Sequence, residues 1–178
     1  MLRLVAIGEH EPSAHDIGPV VIDGEVLHIP ARIYSPEVGA EGLVGLTAPA
    51  RTALECLFTR HHDGHVREKY LRAVISSRLS WVPPFVIQLL GEYVAEIHLT
   101  IREHVDELDG EAYRQFVAEN PAFIELTRQR VASYWNCYYR TSGSRLRDYA
   151  AHQVIEGLDA SSVAAQHAVA ADAASPRR

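Results

Sequence analysis

The sequence predicts a mainly α (α+β) domain: five or six packed helices with a small N-terminal β-hairpin element. Three observations predict it. Apolar residues recur at three- and four-residue spacing through most of residues 46–158, which is the period of helices with one buried face. Two β-branched segments flank Asp23-Gly24 near the start, a hairpin pattern. The chain has 178 residues, 47% hydrophobic and 22% charged, enough to bury a core without covalent staples. Cys56 and Cys137 are far apart and form no CxxC, so neither a disulfide framework nor a zinc ribbon is available. Residues 1–45 are read as a β element with loops packed on the main domain, 46–158 as the helical domain, and 159–178 as a flexible tail.

In chain order, Leu2–Ile7 is a short apolar run, and Val20–Ile29 is the hairpin. Asp-Gly tolerates positive φ at both turn positions, which favours a type I′ turn, and Pro30 ends the second strand because it has no amide to donate. Thr47, with Pro49 close behind, opens a first helix over about 48–61. Asp63 caps a second over about 64–78, and Ser80 caps a third with Pro83 and Pro84 in its first turn. That third helix is expected to run unbroken from Val82 to Leu108, with His104 buried on its apolar stripe. A short helix follows over 111–119. Asn120-Pro121, a capping side chain before a ring fixed at helical φ, opens another over 121–140. The last spans 145–156 with Gly157 as its C-cap, and the Ala/Ser-rich remainder is expected to fray.

The segment 57–75, with its core Asp63-Gly64-His65-Val66-Arg67-Glu68, resembles the inter-helix turn of a HEAT-type helical repeat. The resemblance implies that Val66 enters the core, that Arg67 bridges neighbouring carbonyls and carboxylates, and that the fold serves binding. It covers one repeat, and no second Asp-x-x-Val-Arg stands at the repeat's period.

Charge narrows the function classes. The net charge of −6 argues against a general polyanion binder and against a polybasic membrane anchor. No apolar run is long enough to span a bilayer, and the start is too short for a signal peptide, so the expected compartment is the cytoplasm. The basic residues are 16 Arg and the single Lys69, a bias read as codon usage in a GC-rich bacterial genome. Residues 92–125 hold nine acids and two Arg, a net of −7, whereas 126–147 hold five Arg and no acid. The two segments are expected to pair with each other, with Tyr134, Trp135 and Tyr138 in the core beside Val131.

No Walker A, GxGxxG, GxSxG or HExxH motif occurs. The first reading is therefore a non-catalytic protein–protein interaction or adaptor domain, with another protein as partner and no cofactor. One alternative is a metal-dependent hydrolase on the His61–His65 turn. Imidazoles and carboxylates suit a transition metal, and His62, His65, Glu92 and Glu96 are the candidate ligands. The other is an RNA- or phosphate-binding module. Arginine contacts phosphate and aromatics stack bases, so Arg128, Arg130, Trp135, Arg140 and Arg145, followed by Arg147, are the candidates.

Overall fold

The computed structural model describes residues 18–108 and 110–173, and side-chain exposures up to residue 161. The architecture is mainly helical with a small two-stranded antiparallel hairpin at its N-terminal end. The apolar run Leu2–Ile7 lies outside the described residues.

Strands β1 (Val20–Ile22) and β2 (Glu25–Leu27) pair in the register that a two-residue loop dictates, Ile22 opposite Glu25 and Val20 opposite Leu27. Asp23 and Gly24 take φ of 52° and 78°, the doubly left-handed geometry expected of Asp-Gly. Such a short hairpin is marginal alone. Asn120 anchors it from 99 residues away: its Oδ1 accepts from the Val21 amide at 2.7 Å, and its Nδ2 donates to the Val21 carbonyl at 2.8 Å. The same Nδ2 reaches the Phe116 carbonyl at 2.9 Å. Asn120 therefore acts as a strand stub and does not cap the following helix, which has no side-chain cap. Replacing Asn120 with alanine strands two backbone groups of β1. It is expected to cost about 2–3 kcal/mol in urea unfolding and to speed hydrogen exchange at Val21.

The helices are α1 (Ala48–Phe58), α2 (Gly64–Val74), α3 (Pro83–Leu90), α4 (Ala95–Glu103), α5 (Val105–Leu108), α6 (Glu111–Glu119), α7 (Pro121–Tyr138) and α8 (Ala150–Ala173). Thr47 and Asp63 cap α1 and α2 as expected, accepting from the amides of Ala50 and His65. Ser80 does not cap α3. Its hydroxyl donates to Asp23 at 2.7 Å and so ties down the hairpin turn. Every residue of α3 is buried, because the helix packs on α4, α6, α7 and α8 together. A helix enclosed on all sides needs to be apolar all round, and Gln88 is its one polar residue.

Helices α1 and α2 stop at Phe58 and Val74, short of the expected 61 and 78, and two further boundaries differ more deeply. The long third helix is broken: α3 stops at Leu90, residues 91–94 form a bend, and α4 restarts at Ala95. Gly91 sits where a Cβ would lie 3.3 Å from the Arg130 Cβ and Cδ, so the bend depends on close approach to α7. The apolar period carries across the break because α3 is buried all round and so fits any stripe, while α4 buries Ile97, His98 and Ile101; period alone does not reveal the bend. His104, beyond it, is half-buried, with Nδ1 2.8 Å from the Thr100 carbonyl oxygen. At the other end, 145–149 form a 3₁₀ turn (Leu146–Asp148) and an extended residue. Helix α8 then runs through Gly157 to Ala173. A glycine inside a helix costs only about 1 kcal/mol, and the surrounding alanines have the highest helix propensity. Among the described residues, no helix is long and apolar enough to cross a membrane.

Candidate anion-binding cleft

The break after α3 turns Glu92 inward. The carboxylate is 5% exposed and faces three arginines. Arg32 donates from Nη1 to Oε1 at 2.8 Å, Arg60 Nη1 lies 2.7 Å from the same oxygen, and Arg67 Nε lies 3.0 Å from Oε2. The Arg60 and Arg67 contacts are close ion pairs without hydrogen-bond alignment. Both of these guanidiniums are almost fully buried, whereas the Arg32 side chain is 28% exposed.

Backbone carbonyls take up the remaining donors. Arg60 reaches the carbonyls of Pro30 and Ala31 at 3.3 and 2.9 Å, and Arg67 those of His61 and His62 at 2.8 and 2.9 Å. A parallel bridge between Ile33 and His61 stitches the same two segments, the Ile33 amide donating to Arg60 and the His62 amide to Ile33. The cluster thus welds three stretches of chain: 30–33, the turn between α1 and α2, and the bend at Glu92.

Burial pushes the Glu92 carboxyl up, but Arg60, Arg32 and Arg67 outweigh that effect and hold it below its ordinary value. Burial lowers Arg60 to about 10 against the opposing pull of Glu92, which leaves it charged at neutral pH. Three buried or half-buried cations therefore face one buried anion.

The cluster floors a cleft of about 350 Å³. Arg32, Arg60 and Glu92 line it together with Arg130 from α7, Gly91, and the buried amide of Gln88. The Gln88 side-chain oxygen has no hydrogen-bond partner among the described residues. Aromatic rings form the walls. Tyr34 is exposed and stacks on His62 at 5.2 Å; Tyr93 leans on Tyr134 at 6.2 Å, which stacks on Tyr138 at 6.1 Å. Tyr134 and Tyr138 are therefore not core residues as expected: Tyr138 is exposed, and Trp135 alone of the three packs against the core.

The sequence-derived candidates are dispersed. Of the basic segment, only Arg130 reaches the cleft. Arg128 is engaged by Glu125, Glu156 and Asp159; Arg140 donates to Asn136; Arg145 and Arg147 are exposed elsewhere. The acidic and basic segments meet through Glu125 and Arg128, and the chief partners of Arg128 come from α8 instead.

The four metal candidates do not converge. Glu92 is held by arginines, while His62, His65 and Glu96 are exposed. Among the described residues, no three His, Cys, Asp or Glu side chains group so as to hold a metal. His61 is buried against the Ser35 carbonyl, its Nε2 3.0 Å from that oxygen.

Arg32, Arg60, Gln88, Tyr34 and Tyr93 were not among the sequence candidates. Two signals could have found part of the site: Gln88 is the single polar residue in Pro83–Leu90, and Glu92 follows Gly91 in an otherwise apolar run. The chain matches no protein-family model, no curated protein and no solved structure.

Proposed function

We propose that this chain is a non-catalytic binding domain that holds an anionic group in the cleft between Arg32, Arg60 and Arg130. The observation that carries this reading is the surplus of cations: three guanidiniums share the single carboxylate of Glu92. Surplus buried charge is expensive, and carbonyl dipoles offset only part of it, so an arriving anion gains from a site already desolvated and in place. Glu92 is engaged on both oxygens and serves as a scaffold, which favours binding over acid–base chemistry.

Adding inorganic phosphate at fixed ionic strength is expected to raise the melting temperature. Ligand at a hundredfold over its Kd stabilises by about 2.7 kcal/mol. Arg32→Gln and Arg130→Gln should each blunt that rise. An unchanged melting temperature in the wild-type protein would remove the reading.

A second reading, docking of another protein, is supported by the hairpin. Among the described residues β2 pairs on one side only, and its Val26 is 64% exposed. An open edge of that kind can accept an added strand.

A further inference from the structure

The cleft has more chemistry than an inorganic anion would use. Its cationic floor lies beside exposed tyrosines, with Tyr93 and Tyr34 both lining the cavity and each backed by a second ring, Tyr134 or His62. Flat aromatic faces next to guanidiniums suit a ligand with a planar ring at one end and an anion at the other. The charge of that anion follows from the floor. Arg32 and Arg60, which line the cleft, and Arg67, buried behind it, leave a surplus of two positive charges against Glu92, which a phosphate monoester, carrying about −1.5 to −2 at neutral pH, matches better than a carboxylate. Gln88 adds an independent sign of a missing partner: the residue is 2% exposed, it lines the cleft, and its side-chain oxygen accepts no hydrogen bond.

Resting on the anion-binding reading above, we infer that the cleft takes a free nucleoside monophosphate, with its phosphate on the arginines and its base against the tyrosines. The same chemistry occurs at the end of a nucleic-acid strand. A free nucleotide is favoured because the chain's net charge of −6 repels a longer polyanion and the cavity of about 350 Å³ has room for one small ligand.

The test titrates the full chain calorimetrically with four kinds of probe: inorganic phosphate, adenosine, the four ribonucleoside monophosphates, and a 5′-phosphorylated tetranucleotide. At least one monophosphate is expected to bind tenfold or more tightly than inorganic phosphate, with adenosine weaker than either. Tyr93→Ala or Tyr34→Ala should reduce that monophosphate to the affinity of phosphate while leaving phosphate binding intact, which also shows that the variant is folded. If phosphate binds and no monophosphate binds more tightly, the nucleotide assignment falls and anion binding stands. If neither binds, both readings fall. A tetranucleotide tighter than every monophosphate, or nucleotide affinity unchanged in both tyrosine variants, would also overturn the inference.

Discussion

Glu92→Gln is expected to lower the free energy of unfolding by about 3–5 kcal/mol, the cost of breaking a buried ion pair by removing one partner. The substitution is nearly isosteric, so packing is preserved and the loss is electrostatic. Arg60 and Arg67 would stay buried with no compensating charge, and only Arg32, part exposed, could swing into solvent. Urea unfolding measures the change. Arg67→Leu combined with Glu92→Gln should cost less than the two single changes added, because the second substitution removes a charge the first has orphaned. Phosphate should stabilise Glu92→Gln by more than it stabilises the wild-type protein, since it replaces the missing anion. A loss below about 1 kcal/mol, the range of surface ion pairs, would show that the cluster is hydrated and not the buried weld described above.

Acid should destabilise the protein well above the pH at which ordinary carboxylates titrate. His98 lies buried between α3, α4 and α8, with Nδ1 2.9 Å from the Tyr149 hydroxyl and the two rings edge to face. Burial lowers its pKa from 6.5 to about 4. As pH falls through that window the unfolded chain takes up a proton that the folded chain refuses. Stability is therefore complete above about pH 6.5 and declines by about 3 kcal/mol as pH falls toward 4. Glu92, also held below its ordinary value, adds a loss in the same direction at the acid end. His98→Gln should be less stable at neutral pH yet show a flatter decline between pH 6.5 and 4.5 in urea midpoints. Parallel slopes in the two proteins would assign the acid sensitivity elsewhere.

Legibility in the sequence followed the range of the forces involved. The Asp23-Gly24 turn, the Thr47 and Asp63 caps and the whole of α6 at 111–119 depend on neighbours a few residues away, and these were read correctly. By its neighbours Asn120 is a local cap, but its side chain is committed to Val21, a partner no local pattern identifies. The bend at Gly91 was hidden because the apolar period runs through it. The cleft is hidden because its contacts are long-range: Arg32 meets Glu92 across 60 residues. Arginine beside tyrosine was the right chemistry to look for in 126–147. It identified Arg130, whereas the arginines on Glu92 come from earlier in the chain, where the HEAT-type turn marks Arg67 as a bridge to carbonyls and carboxylates but nothing nearby in sequence marks Arg32 or Arg60.

If the arginines around Glu92 receive an anion, their guanidinium resonances report on it most directly. Nitrogen-15 spectra of the arginine Nε–Hε groups, recorded while inorganic phosphate is titrated at constant ionic strength, should show saturable shifts for Arg32, Arg60 and Arg130. Arg128, already engaged by Glu125, Glu156 and Asp159, should stay still. Cleft arginines that do not move up to millimolar phosphate, or that move no more than Arg128 and without saturating, would contradict anion binding.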